Sequence, residues 1–186
     1  MSDAQRRREG IIFLILFALT VPAANWLVGN VGTRCVPNGP CLIPVAPQLM
    51  APSGVLMIGI ALVLRDLMQR RLGVRVATAA ILAGSALSGL LAPPALVIAS
   101  AAAFLLSELA DLAVYTPLAR RGLVAAVVAS SLVGLVVDSI VFLWLAFGSL
   151  DFLAGQVIGK AWMVLLSIPL VSWLRRREER GGGVPA

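Results

Sequence analysis

The sequence predicts an all-α, polytopic membrane bundle of six transmembrane helices with both termini cytoplasmic. Three observations predict it. Hydrophobic residues make up 60% of the chain and charged residues 13%, with a mean hydropathy of +0.97. A water-soluble domain of this length cannot bury that much apolar surface. Six apolar segments each approach the roughly 20 residues that cross a hydrocarbon core. Arginines fall in alternate connections, and short cytoplasmic loops are the ones that retain Lys and Arg.

The first helix is expected over about Gly10–Gly29, behind Arg6, Arg7 and Arg8. That triplet before "GIIFLILFALTVPAA" also resembles a signal peptide with a small-residue cleavage site. The long apolar run and an even number of helices favour a retained helix. A polar, Pro-rich loop follows, "VGTRCVPNGPCLIPVAPQLMAP". Its Cys35 and Cys41 are either free thiols or a disulfide, which an oxidising space would permit. The second helix is expected over about Ser53–Met68 and the third over about Ala77–Leu91, with Arg70, Arg71 and Arg75 between them. "APPA" reads as a tight turn into the fourth, about Ala95–Leu118. Arg120 and Arg121 precede the fifth, about Leu123–Phe147, and the sixth covers about Phe152–Leu174. Arg175, Arg176, Arg177 and Arg180 come next, and "REERGGGVPA" reads as a disordered tail. The expected organisation is therefore residues 1–9 as a cytoplasmic N-terminus, 10–174 as the membrane domain and 175–186 as a cytoplasmic tail. The net charge of +6 is dealt out between helices, so it marks topology and not a nucleic-acid surface.

The chain has no histidine, which removes histidine-based catalysis and most zinc sites. No metal or cofactor is expected. The polar residues inside the helices carry more information. A charge near the bilayer centre costs about 2.5–3.5 kcal/mol even on lenient scales, so such groups face a bundle interior, pair, or line a path. Counting helical rise places Glu108 roughly 5 Å to the inner side of the midplane, Asp138 and Asn25 roughly 6–7 Å to the outer side, and Lys160 roughly 3 Å to the outer side. Asp111 lies deeper toward the cytoplasm.

Faces agree with depths. Glu108, Asp111 and Tyr115 share one helical stripe that Phe104 extends outward. Gln156 and Lys160 are i, i+4, and Gly155 and Gly159 beside them allow another helix to approach closely. Ser131, Gly134 and Asp138 share a face. Bland alternatives exist for each. Lys160 and Asp138 form a purely structural pair; Arg65, next to Asp66, snorkels to the interface; Asp111 caps or pairs; Asn25 bridges helices; the small-residue helix "ATAAILAGSALSGLL" only packs. The summed polar load of one small bundle favours a site.

"SELADLAVYTPLARR", "GLVVDSIVF" and "GQVIGKAWMVLLSIP", with "ALVLRDLMQRRLG" and "AANW" before them, resemble in order and spacing the VUT family, the queuosine precursor transporters. The resemblance covers about Ala23 to Pro169. It departs in the Cys-containing loop and in compactness. The resemblance implies a six-helix carrier of the bacterial inner membrane for 7-cyano-7-deazaguanine or its aminomethyl relative. It also implies likeness to the substrate-binding subunits of vitamin transporters driven by a separate ATPase.

Such a base presents adjacent N–H donors beside a carbonyl acceptor. Glu108 or Asp138 is expected on the donor edge, Lys160, Gln156 and Asn25 on the acceptors, and Phe104, Tyr115 or Phe142 on the ring face. Asp111 completes the expected substrate site, or it or Glu108 binds a proton. Arg65 and Asp66 are expected as a gate or an ion pair. The chain lacks a G-x-x-x-x-G-K-[ST] phosphate loop; "GQVIGKA" is too short, is helical and has Ala161 in place of Ser/Thr. The expected partners are a small-molecule base and membrane lipid, with no nucleic acid, and either a second copy or an ATPase is compatible. A small metal-using membrane enzyme is the weaker alternative.

Overall fold

The computed structural model describes residues 2–35, 40–92 and 96–180. Six helices run in chain order: α1 Asp3–Asn30, α2 Val55–Leu72, α3 Val74–Leu91, α4 Val97–Leu118, α5 Leu123–Phe147 and α6 Leu153–Arg180. A three-stranded antiparallel meander, β1 Arg34–Cys35, β2 Cys41–Ala46 and β3 Leu49–Pro52, joins α1 to α2.

Five of the helices are long and apolar enough to cross a membrane. The exception is α2, whose 18 residues include Arg65, Asp66, Arg70 and Arg71. Its place in the bundle explains how those charges are tolerated. It packs against all five other helices, and 12 of its 18 residues are buried. Leu62, Leu67 and Met68 on it meet Phe17, Val127, Leu135, Val164 and Val171 in one core. The outer surface is the inverse of a soluble protein's: Leu90, Ile98, Leu166 and Trp173 are all more than half exposed. Lipid tails are as apolar as leucine, so an outward apolar face with polar groups inside is the stable arrangement in a bilayer.

Apart from Arg34 in β1 and the interior Arg65, the arginines lie at one end of the bundle and the sheet at the other, as follows from the alternating helix directions. Several connections are shorter than the sequence suggested. α2 and α3 are separated by Gly73 alone, whose φ of +88° is a conformation a side chain would strain. Arg70 and Arg71 therefore occupy the last turn of α2, and Arg75 lies in the first turn of α3. α1 starts at Asp3 because Ser2 and Gln5 form a reciprocal capping box.

α6 continues through the arginine run to Arg180, so the first four residues of "REERGGGVPA" are helical and not a disordered tail. Residues 181–186, and 93–95 of the "APPA" turn, lie outside the described residues. The extension is held by ion pairs. Glu178 accepts from Arg70 at 2.5 Å and pairs with Arg71. Arg71 and Arg177 both hold Glu9 on α1, at 2.9 and 2.7 Å. Protonating Glu178 would release both arginines. The stabilisation is therefore present while the carboxylate is charged and is lost as acid protonates it. Thermal unfolding in detergent is expected to shift down on such acidification, with a smaller shift in Glu178→Gln. Equal shifts in both proteins would contradict the assignment.

The sheet was not foreseen. Pro44, Pro47 and Pro52 read as breakers, yet Pro47 sits in the turn, Pro52 ends β3 and the register shifts between Pro44 and Ala46. Cys35 and Cys41 pair across β1 and β2 and are joined by a disulfide. The sheet packs on α1 and α6. A Cβ on Gly155 would lie 2.1 Å from the Met50 carbonyl oxygen of β3. The glycine pair of α6 therefore admits the sheet, and the start of α2 at Gly159, where a neighbouring helix alone was expected. Gly155→Val should lower the thermal midpoint by several degrees, corresponding to overpacking of about 1–3 kcal/mol. An unchanged midpoint would show that the sheet is not seated there.

Candidate functional site

A cavity opens within the sheet half of the bundle. Every helix contributes to its wall: Thr20 and Asn25 from α1, Ile58 from α2, Ser88 from α3, Phe104 and Glu108 from α4, Asp138 and Phe142 from α5, and Gln156 from α6. Its volume, measured to the centres of water-sized spheres, is about 80 Å³. A single water needs about 10–15 Å³ on that measure, so there is room for several waters or one flat ring.

Lys160 stands behind this wall and is fully buried. Its ammonium donates to Asp138 at 2.5 Å, Ser139 at 2.7 Å and Gln156 Oε1 at 2.6 Å. An ammonium has three donors, and all three are used within the protein. Lys160 was expected to meet a ligand; instead it neutralises Asp138 and fixes Gln156. With its oxygen turned to Lys160, Gln156 has its amide nitrogen free of protein hydrogen bonds among the described residues. Asn25 donates to the Val21 carbonyl at 3.0 Å, which leaves its side-chain oxygen as an acceptor. Phe104 packs against Phe17 with ring centroids 5.9 Å apart.

Below the cavity lies a second polar layer. Arg65, with no exposed surface, donates to Glu108 at 3.2 Å and to Gln69 at 2.9 Å. It also pairs with Asp66 at 2.9 Å and with Asp111. Its guanidinium carbon lies 5.7 Å from the centre of the Tyr115 ring. Ser130 on α5 donates to Asp66 at 2.8 Å. One guanidinium thus gathers three carboxylates from two helices. A delocalised fork with five donors suits that task better than an ammonium. Arg65 does not snorkel to the interface.

Of the expected ligand residues, Asn25, Phe104, Glu108, Asp138 and Gln156 line the cavity, as does Phe142. Asp111 and Tyr115 do not: Asp111, about one turn below Glu108, pairs with Arg65 within the second layer, and Tyr115, about two turns below, lies against its guanidinium. Glu108 alone belongs to both, since it lines the cavity and holds Arg65. The hydroxyls of Thr20, Ser88, Ser100 and Ser107 also line the cavity and were not foreseen. In an apolar, small-residue helix such residues carry the same signal as close packing. Among the described residues, no group of three His, Cys, Asp or Glu is placed to hold a metal ion; the clustered carboxylates surround a guanidinium instead.

A second, larger cavity lies at the arginine end, where Gln69 and Tyr115 form part of its wall. Arg65 touches Glu108 on one side and Gln69 and Tyr115 on the other. It therefore stands between the two cavities.

The model of a family described as "Putative vitamin uptake transporter" matches residues 85–174. Over that stretch, just under half of the chain, the protein is similar to this transporter family. The stretch runs from the later half of α3 into α6 and includes Glu108, Asp111, Asp138, Gln156 and Lys160. Asn25, Arg65 and the sheet lie outside the matched residues. No curated protein and no solved structure matched the chain. The match and the apolar helices together suggest a multi-pass membrane transporter of the vitamin-uptake type.

Proposed function

We propose that this chain imports 7-cyano-7-deazaguanine, or its aminomethyl relative, across a bacterial inner membrane. The observation that carries the reading is the cavity whose wall brings Glu108, Asp138 and Gln156 together with Phe104 and Phe142. A carboxylate accepts the paired N–H donors of a guanine-like edge, and an amide N–H₂ donates to the carbonyl beside them. Phenyl rings stack on the flat base. Glu108 is the acid with an oxygen already committed to Arg65, so a ligand on Glu108 competes with, or reorients, that bond.

Orientation follows the arginines. The arginine end lies in the cytoplasm, both termini are inside, and α2 is the sixth span, its charges shielded by the other five helices. The cavity then faces outward, on the same side as the disulfide, which suits an oxidising space. Arg65 is the gate: it bridges the floor of the outer cavity and the roof of the inner one. Passage of a ligand requires the Arg65–Glu108 contact to open.

A second reading keeps the vitamin uptake of the family description and adds a partner: a substrate-binding subunit of an ATPase-driven system. "GQVIGK" cannot serve as its own nucleotide loop, because Lys160 is spent on Asp138, Ser139 and Gln156.

The test is complementation. A bacterium unable to make deazaguanine precursors, and lacking its own importer, is given a low concentration of precursor. Queuosine in tRNA is expected to return with this gene and to fall at least tenfold with Glu108→Gln, as loss of a charge-assisted contact implies. Return of queuosine at equal levels with Glu108→Gln would remove Glu108 from the site. No return with well-expressed wild type would remove the proposed ligand as an unaided cargo.

A further inference from the structure

The cavity at the arginine end, of about 490 Å³ on the same measure, has a chemistry of its own. Six arginines line it, Arg6, Arg70, Arg71, Arg120, Arg121 and Arg175, against the two carboxylates of Glu178 and Glu179. The carboxylates are already taken. Glu178 serves Arg70 and Arg71, and Glu179 accepts from Arg175 at 2.8 Å. Arg120 and Arg121, in the turn between α4 and α5, have no ion pair among the described residues. The wall also holds an orphaned donor: the Tyr115 side chain is 1% exposed, Arg70 stands beside its hydroxyl, and that hydroxyl donates to no group among the described residues. A buried hydroxyl left without a partner is costly. Ordinary inward-facing arginines explain positive charge at this end, but not a cavity that concentrates it around an orphaned donor.

We propose that this cavity is a binding site for a phosphate group, held by Arg120, Arg121 and the Tyr115 hydroxyl. Guanidinium forks match phosphate oxygens in pairs, and a phenol O–H supplies one further donor. Val74 and Leu123 complete the wall with apolar surface, so the phosphate's substituent has somewhere dry to lie. This site is separate from the base cavity, and its existence does not depend on which ligand that cavity takes. The phosphate belongs either to an anionic phospholipid headgroup at the inner membrane face or to a free phosphate in the cytoplasm.

The experiment uses the purified, delipidated full chain in uncharged detergent. Thermal unfolding is followed while phosphatidylglycerol, phosphatidylcholine, inorganic phosphate or sodium chloride at matched ionic strength is titrated. Three proteins are compared: wild type, the double variant Arg120→Gln/Arg121→Gln, and Tyr115→Phe. The variant arginines lie in an exposed turn, and phenylalanine keeps the ring under Arg65, so both variants retain the fold. A saturable upward shift with phosphatidylglycerol alone assigns the site to lipid. The same shift with inorganic phosphate, competing with the lipid, assigns it to free phosphate. In either case the double variant should bind at least about tenfold more weakly and Tyr115→Phe several-fold more weakly, as loss of charge-assisted and neutral hydrogen bonds implies. Equal shifts with phosphatidylcholine or chloride, or unchanged affinity in both variants, would overturn the proposal.

Discussion

Lys160→Met is expected to destabilise the protein by about 3–5 kcal/mol, the cost of leaving one partner of a buried ion pair uncompensated. Its ammonium satisfies Asp138 and Ser139 on α5 and Gln156 on its own helix, all within 2.7 Å. Methionine fills similar volume but leaves a carboxylate facing the bundle interior with no cation. The effect should appear as a large drop in thermal midpoint in detergent and reduced membrane yield. The double variant Lys160→Met/Asp138→Leu removes both charges and should recover most of the loss, since buried pairs replaced by apolar residues of similar size are often neutral. Uptake should stay lost in both, because Gln156 is no longer held and Asp138 is gone or misplaced. A single variant as stable as wild type would show that this pair does not fasten α5 to α6.

Arg65→Met should be more damaging still. Asp66, Glu108 and Asp111 would then crowd the centre of the bundle without their shared cation, and Gln69 would lose its donor. The variant is expected to fail to accumulate in the membrane. Arg65→Lys is the informative companion. It keeps the charge, but a compact ammonium cannot reach four partners in a fixed fork. It should fold with a lowered midpoint and lose uptake by at least tenfold, while ligand binding in the outer cavity falls less. Equal losses of binding and uptake in Arg65→Lys would place Arg65 in the binding site and not between the cavities. Measuring both quantities on the same preparation separates the two outcomes.

The bundle was legible because its signals are cumulative. Apolar runs and arginine alternation placed the helices, and the α5 span Leu123–Phe147 matches the sequence expectation at both ends. α2 carries four charges, and its burial against the five other helices is what accommodates them. The sheet was hidden because three prolines in a short stretch look like breakers until a turn, a strand end and a bulge accommodate them. The α6 extension was hidden because its stabilising partners, Arg70 and Arg71, come from another helix about a hundred residues away in the chain.

The candidate site shows the same division. Periodicity put Glu108, Asp111 and Tyr115 on one stripe, and they do share one. A stripe of seven residues, however, spans about 10 Å of rise. Only its upper end reaches the outer cavity; the rest lies beside and below Arg65. Nothing in a linear sequence says that an arginine on α2 intervenes at that height. Likewise a lysine in a membrane helix announces a polar centre, but whether its donors face a ligand or three neighbouring oxygens depends on how α5 docks on α6.

The central claim is that the cavity lined by Phe104 and Phe142 takes a flat, guanine-like base on Glu108. The most direct measurement is equilibrium binding of labelled 7-cyano-7-deazaguanine to the purified chain, with Glu108→Gln beside it. Saturable binding is predicted, displaced by the aminomethyl relative, not displaced by adenine, and weakened at least tenfold by Glu108→Gln. No binding to a folded, monodisperse wild type, or binding that Glu108→Gln leaves unchanged, would contradict it.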